Sequence, residues 1–336
     1  MRARSTDFKA GETGQILLTG GTGQVGGELL KTLAGLGTVW APSRQEMDLS
    51  QPDTVREVIR AVRPRWIVNP GAYTAVDRAE SEPELVYRVN QESVGALGEE
   101  ARKIGAAVLH FSTDYVFSGR GTTPYLETDT AAPMSVYGAS KWGGEQALAE
   151  SGAASLIFRT SWVYGATGKN FLLTILRIAK LARERETLRV VGDQYGAPTW
   201  SQDLARMAAA VIDQCEARAR LEDVSLAESV AAVHGTYHAA AAGETTWHGF
   251  ASEAVRMMRE KERTARLAST FASTLTSIDA ITTAEYPTPA QRPANSRLNC
   301  DKLARVFGWR MPEWQQSLAA VIDELALSSE VTSRKV

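Results

Sequence analysis

Short apolar runs alternate with stretches of helical period along the first half of this chain. Residues 15–20, Gln-Ile-Leu-Leu-Thr-Gly, are an apolar run ending in glycine, the pattern of a buried parallel strand. A glycine-rich turn and a helix follow, with Leu29, Leu30 and Leu33 on one face and a stop near Gly35 and Gly37. Residues 38–41 predict a second strand. Ser50 reads as the N-cap of the next helix, with Pro52 in its first turn and Val55, Val58, Ile59 and Val62 as its apolar face. Residues 66–69 predict a third strand. Pro83 opens a long helix through Val86, Val89 and Leu97 to about Lys103, and residues 106–111 predict a fourth strand. This order predicts an α/β fold on a doubly wound parallel sheet with right-handed crossovers.

Residues 119–133 are loop-like, and a helix carries Tyr137 on to about Glu150. Residues 155–160, 188–191 and 234–240 predict strands; 201–215 and 247–262 predict helices. Residues 216–233, charged and alanine-rich without a clear period, predict an exposed helical extension or loop. Residues 263–290 are rich in Thr, Ser and Ala, and the last helices follow Asn299 and Pro312. The expected organisation is a Rossmann-type dinucleotide-binding domain over 15–168, rejoined by elements at about 188–215 and 234–240, with a smaller, mixed C-terminal substrate lobe over 169–327. Residues 1–14 and 328–336 read as disordered tails.

Composition narrows the classes. A net charge of −2 in 336 residues gives no bulk attraction for nucleic acid or an anionic membrane. No apolar run approaches the roughly 20 residues a membrane span needs. Cys215 and Cys300 stand far apart, too few for a disulfide framework or a four-cysteine metal site, and they fit a reducing cytoplasm. The expectation is a cytoplasmic protein acting on a small molecule.

Gly20, Gly23 and Gly26 stand three apart between a strand and a helix. Gly20 allows the tight turn, Gly23 the backbone's approach to a pyrophosphate, and Gly26 close packing of helix on sheet. The helix N-terminus then faces the phosphates. After the second strand comes Ser43-Arg44, where a site for NADH would carry an acid for the ribose. Arginine suits a 2′-phosphate, which favours NADPH, or use of both NADPH and NADH. Asp48 and Leu49 are placed to flank the adenine.

Tyr137 and Lys141 are four apart and share a helix face. An ammonium beside a phenol stabilises the phenolate, and Lys141 can also hydrogen-bond a nicotinamide ribose. Thr113 offers an uncharged hydroxyl for an oxygen that turns from carbonyl to alkoxide. Hydride from a dihydronicotinamide and a proton from Tyr137 complete a carbonyl reduction.

With the glycine turn, Thr113 and the Tyr137–Lys141 pair in this order, the chain resembles the extended short-chain dehydrogenase/reductases. Further blocks narrow the resemblance: 69–77 (Asn-Pro-Gly-Ala-Tyr-Thr-Ala-Val-Asp), 112–117 (Ser-Thr-Asp-Tyr-Val-Phe), 160–165 (Thr-Ser-Trp-Val-Tyr-Gly), 193–199 (Asp-Gln-Tyr-Gly-Ala-Pro-Thr) and 292–298 (Arg-Pro-Ala-Asn-Ser-Arg-Leu). They are similar to those of the dTDP-4-dehydrorhamnose reductase family, in the family's order, over about residues 15–315. The resemblance implies reduction of a 4-keto deoxysugar nucleotide with NADPH or NADH. It implies Tyr137 as proton donor, Lys141 as its partner, and Thr113 at the reacting oxygen with Asp114 and Tyr115 beside it. It places Gln24 and Val25 at the pyrophosphate and Ala72, Tyr73 and Thr74 along the cofactor. Trp162 would lie near nicotinamide and sugar, with Arg292 and Asn295 toward the substrate end. Pro70-Gly71 departs from the small apolar residues more usual there. Some family members bridge a homodimer through Mg²⁺ held by glutamates. Glu28 matches one such position, but Gln202 stands where another is expected, and a neutral amide is a weaker ligand for a hard cation.

Two other readings share the scaffold: a sugar-nucleotide epimerase or dehydratase, and a non-catalytic regulatory subunit related to that of methionine adenosyltransferase. A dehydratase needs a glutamate that Thr113-Asp114 lacks. His234 and His238, four apart but in a strand pattern, read as structural.

Overall fold

In a computed structural model, residues 15–182, 186–264 and 275–333 are described, so the tail at 1–14 lies outside the described residues. The first half runs β1 (Ile16–Leu18), α1 (Gln24–Thr32), β2 (Val39–Trp40), α2 (Pro52–Val62), β3 (Trp66–Asn69), α3 (Val76–Ala79), α4 (Pro83–Tyr87), α5 (Ser93–Ile104), β4 (Ala107–Thr113), α6 (Val136–Glu150) and β5 (Ser155–Thr160). The second half adds β6 (Val163–Tyr164), α7 (Phe171–Leu181), β7 (Thr187–Val191), β8 (Tyr195–Gly196), β9 (Thr199–Trp200), α8 (Ser201–Glu222), α9 (Leu226–Ala231), β10 (Gly235–His238), β11 (Thr245–Thr246), α10 (Trp247–Thr264), β12 (Ser277–Ile281), α11 (Asp301–Phe307) and α12 (Trp314–Ser333).

Six parallel strands form the main sheet in the order β10-β5-β4-β3-β1-β2. The order reverses between β1 and β3, so a crevice opens beyond their carboxyl ends, where such folds bind ligands. Apolar side chains cover both faces. Leu29 of α1 with Leu204 and Val211 of α8 pack on one side. Val55 and Ile59 of α2 with Leu97 of α5 pack on the other. A third core around Leu172, Phe250, Trp314 and Leu318 fills the C-terminal lobe.

Several expectations need correction. The helix after Ser50 starts at Pro52 with Gln51 at the N-cap, because the Ser50 hydroxyl donates instead to Asp48 Oδ1 at 2.8 Å. Leu30 is exposed while Leu29 and Leu33 are buried. The helix from Pro83 is interrupted by a π-turn at Arg88–Glu92 between α4 and α5. Residues 188–191 lie in β7, which does not rejoin the main sheet; it pairs with β12, a strand hidden in the Thr/Ser-rich stretch. Residues 216–233 take the helical of their two expected alternatives, as the end of α8 and as α9, whose N-terminus Ser225 and Glu228 close with a capping box. Helix α12 runs through Ser333, into what reads as a tail. Among the described residues no helix is long and apolar enough to cross a membrane.

Helix α6 is drawn tightly onto its neighbours. Ser135 Oγ caps it by accepting from the Gly138 amide at 3.1 Å. A Cβ at Gly138 would fall on the Tyr115 carbonyl, and one at Gly144 on the Asn90 carbonyl. Beneath the helix, Glu145 and Arg159 form a buried bidentate pair with its shortest contact at 2.7 Å. Ser112 Oγ donates to Glu145 at 2.5 Å, and the guanidinium lies 5.0 Å over the Phe117 ring.

Removing one partner of such a pair leaves a buried charge without compensation. Glu145→Ala is expected to cost about 3–5 kcal/mol in denaturant unfolding. A loss below about 1 kcal/mol, the value of an exposed pair, would contradict this.

Candidate active site

The crevice holds two adjoining cavities of about 660 and about 750 Å³ that share Gly20, Thr22, Gly71 and Ala72. The turn between them is sterically forced. Gly20 has φ +56°, and a Cβ there would lie 2.8 Å from Gly71 Cα. A Cβ on Gly71 would lie 2.7 Å from both Leu49 Cδ1 and Thr19 Oγ1. The unusual Pro70-Gly71 step is thus what lets the two strand ends approach.

The larger cavity carries Ser43, Arg44, Asp48, Leu49 and Tyr73. Arg44 is 77 % exposed and its Nε lies 3.2 Å from Asp48 Oδ2. Glu46 accepts from the Ser43 amide at 2.6 Å, and this bond comes first among the causes that hold its carboxyl below the usual range. Arg78 and Glu82 also line this wall, and the Tyr73 hydroxyl donates to Glu82 at 2.7 Å.

The smaller cavity gathers Gly23, Gln24, Val25, Gly26, Thr74, Thr113, Asp114, Tyr115, Tyr137, Lys141, Trp162 and Arg292. Thr113 ends β4, and its hydroxyl donates to Asp114 Oδ1 at 2.9 Å. Burial pushes the Asp114 carboxyl up to about 6, opposed by the nearby Ser296 hydroxyl and by the hydrogen bond from Thr113. Burial also holds the Tyr137 phenol above its ordinary value; its hydrogen bond with Thr113 opposes this, and the Asp114 and Tyr115 charges add to it. The Tyr115 ring meets Tyr137 edge-on at 5.5 Å.

Lys141 departs from the expected arrangement. Its Nζ is directed at β4, donating to the Phe111 carbonyl at 2.7 Å and lying 3.2 Å from His110 Nε2, rather than at the phenol. Burial brings its amine down to about 8, with Glu145 opposing.

At the other wall, Trp162 adopts φ +48°, a left-handed conformation costly for a bulky residue. Its ring stacks on Trp247 with centroids 3.6 Å apart, and Phe171 lies 4.6 Å from Trp247. A Cβ at Gly196 would lie 2.5 Å from the Trp162 ring. Arg292 reaches the cavity edge, where it donates to the Tyr115 hydroxyl at 3.1 Å and pairs with Asp77 at 2.6 Å.

Two of the candidate residues do not join the site. Asn295 is buried between loops, donating to the Thr123 carbonyl at 2.8 Å and accepting from Arg297 Nε at 2.8 Å. It braces the lobe rather than lining the cavity. Glu28 gives one oxygen to Lys31 at 2.8 Å, and its other is buried without a partner. One carboxylate oxygen is a single ligand of the six a Mg²⁺ ion takes, and no cluster of three His, Cys, Asp or Glu side chains stands among the described residues.

Sequence reading missed Lys169, Phe171, Trp247, Asn90 and His110. Trp247 and Phe171 stand at or near helix starts, where an apolar period hides them as core. Asn90 sits in the π-turn, and its side chain bonds the Tyr73 amide (2.8 Å) and the Ser140 hydroxyl (3.0 Å). His110 was visible as the one titratable side chain inside the apolar part of β4.

Comparison with known proteins places this geometry. Residues 14–327 match the profile of a family described as the RmlD substrate binding domain. A dTDP-4-dehydrorhamnose reductase of Burkholderia thailandensis is 43 % identical over 313 residues, 93 % of this chain and 99 % of that protein. A crystal structure of a dTDP-4-dehydrorhamnose reductase from Clostridium acetobutylicum superposes with a TM-score of 0.80 at 32 % identity, covering 93 % of this chain and 99 % of that one. One from Bacillus anthracis in complex with NADP superposes with a TM-score of 0.77 at 30 % identity, covering 93 % and 99 %.

Asp114 carries a pH signature. Folded, it holds its proton to about pH 6; its ordinary value is 3.8. The folded state therefore binds more protons in that window, and stability falls as pH rises through it, by a total of about 3 kcal/mol. Asp114→Asn is expected to flatten this part of the profile and to be more stable than the unmodified protein at neutral pH, read by denaturant unfolding. An unchanged slope between about pH 4 and about pH 6 would show that Asp114 ionises freely.

Proposed function

The chain belongs to the dTDP-4-dehydrorhamnose reductase family, and from that premise we propose that it reduces dTDP-4-dehydro-β-L-rhamnose to dTDP-β-L-rhamnose with NADPH or NADH. One observation carries the reading: Thr113, Tyr137 and Lys141 share a cavity with the glycine turn that opens α1. The nucleotide-binding part, residues 15–168, brings the cofactor, and the lobe over 169–327 closes on the sugar nucleotide. Cytoplasm is the compartment that fits this chemistry.

The cofactor fits the residues present. The free amides at the start of α1 face the cavity beside Gly20 and Gly23, as a pyrophosphate requires. Arg44 and Ser43 stand at the rim where a ribose or its 2′-phosphate would lie. When bound, the dihydronicotinamide supplies the hydride.

The chain's own residues do the rest. Tyr137, held protonated by burial, gives its proton to the sugar's 4-oxygen as negative charge develops there. Thr113 turns its hydroxyl from Asp114 to the same oxygen. Lys141, when charged, favours the phenolate left behind. Trp162 and Trp247 form a flat apolar wall that excludes water from the reacting carbon. Arg292, fixed by Tyr115 and Asp77, offers its remaining donors to the substrate's polar end.

Mixing the protein with NADPH and the keto sugar nucleotide should bleach the dihydronicotinamide absorbance; no change would defeat the reading. Tyr137→Phe should retain NADPH binding and lose about 10²–10⁴-fold in turnover, while near-normal turnover would remove Tyr137 from its role. Arg44→Ala should weaken NADPH about tenfold or more and NADH little, as loss of a charge-assisted bond predicts. Equal effects on both cofactors would refute the 2′-phosphate contact.

A further inference from the structure

A buried chain of hydrogen bonds leads away from Lys141, and nothing in the reduction described above uses it. Lys141 Nζ lies 3.2 Å from His110 Nε2. His110 Nδ1 lies 2.9 Å from Asn69 Nδ2. Asn69 Oδ1 accepts from the Thr19 hydroxyl at 2.5 Å, and Thr19 Oγ1 accepts in turn from the Gly71 amide at 3.1 Å. His110, Asn69, Thr19 and Lys141 are all buried, on β4, β3, the end of β1 and α6.

Donor and acceptor accounting restricts this chain to two states. A neutral imidazole carries one hydrogen, and an ammonium has no acceptor. In the arrangement above, Thr19 fixes the Asn69 oxygen and Asn69 donates to Nδ1. The ring hydrogen is then on Nε2 and must be received by Lys141, which is therefore a neutral amine. The Thr19 hydroxyl, whose oxygen already accepts from the Gly71 amide, has its hydrogen to give to the Asn69 oxygen and so favours this state. If Lys141 is charged, Nε2 must accept, the hydrogen moves to Nδ1, and Asn69 must rotate to offer its oxygen there.

We infer that His110 is a positioning residue for Lys141, and that the tautomer of its ring changes together with the charge on the lysine. One proton separates the two states. The amine state holds two hydrogens on Nζ and one on Nε2; the ammonium state holds three on Nζ and one on Nδ1, the extra proton coming from water. His110 stays neutral in both, as burial and the neighbouring Lys141 hold its imidazole well below the ordinary value. The charged groups around the pair are few. Glu145 lies one turn along α6 and is itself paired with Arg159 of β5; from β3 only the neutral Asn69 faces the ring. Thr19 and Gly71 end the chain at the tight turn of the cofactor crevice, so the charge on Lys141 is coupled to the backbone on which the cofactor rests.

The consequence for turnover rests on the reductase reading, but the tautomer change does not. The chain has four histidines, few enough to resolve by ¹⁵N NMR. In the unmodified protein, a titration from about pH 6 to about pH 10, spanning the ordinary histidine and lysine values, should show His110 pass from the Nδ1–H to the Nε2–H form without becoming an imidazolium. Thr19→Val frees the Asn69 amide to rotate and favours the ammonium. It should move this midpoint, and the alkaline fall of kcat, up by about one pH unit, a tenfold change in proton concentration. Thr19→Ser, which keeps the hydroxyl, should restore the unmodified profile. One tautomer at every pH in the unmodified protein overturns the inference, whatever the variants do. So does a midpoint that Thr19→Val and Thr19→Ser leave equal. A tautomer change in a protein that does not oxidise NADPH would leave the inference standing and defeat the reductase reading instead.

Discussion

A lysine amine can be buried only if its hydrogens and its charge are met, and the interior of this protein is arranged around that demand at Lys141. The Phe111 carbonyl accepts from it, His110 Nε2 shares a hydrogen bond with it, and Glu145 lies one turn away. That requirement ties α6 to β4, and β4 through Asn69 to β3 and the turn after β1. The glycines of α6 allow the approach, since a Cβ at Gly138 or Gly144 would collide with a backbone carbonyl. Tyr137 is then fixed one turn before Lys141, beside Thr113 at the end of β4. The placing of Tyr137 beside Thr113 follows from satisfying one buried amine.

The same crevice joins two kinds of surface. On the sheet side are backbone amides, hydroxyls and the Tyr137 phenol, which suit phosphates and a developing oxyanion. On the lobe side are Trp162, Trp247 and Phe171, flat and apolar. Trp162 stands there in a left-handed conformation, held by the Trp247 stack and the close approach of Gly196. Strain of this sort persists only where its surroundings over-determine it, and here it turns the Trp162 ring into the wall of the cavity that holds Tyr137 and Thr113.

Much of this was legible in the sequence. Strand-helix alternation gave the parallel sheet, because buried strands are apolar throughout and amphipathic helices cover them. The glycine spacing gave the turn, and Tyr137, Lys141 and Thr113, singled out by type and order, line one cavity. What stayed hidden depends on contacts between distant segments. The direction of Lys141 Nζ is set by His110, thirty-one residues earlier in the chain. The role of Asn295 is set by the Thr123 carbonyl, which turns a polar side chain into a brace. Strand β12 is a short segment in a Thr- and Ser-rich stretch and is fixed by β7, which pairs with it over five positions. The π-turn at Asn90 leaves no mark on the helical period of Val86, Val89 and Leu97.

The account's central claim is that hydride enters the sugar at the carbon whose oxygen Tyr137 protonates. NADPH deuterated at C4 of the nicotinamide, on the face that is transferred, tests this most directly. Incubated with the protein and dTDP-4-dehydro-β-L-rhamnose, it should deliver one deuterium to C4 of the sugar, read by mass spectrometry and NMR of dTDP-β-L-rhamnose. A sugar nucleotide that changes without taking up deuterium from the cofactor, or that does not change at all, would contradict it.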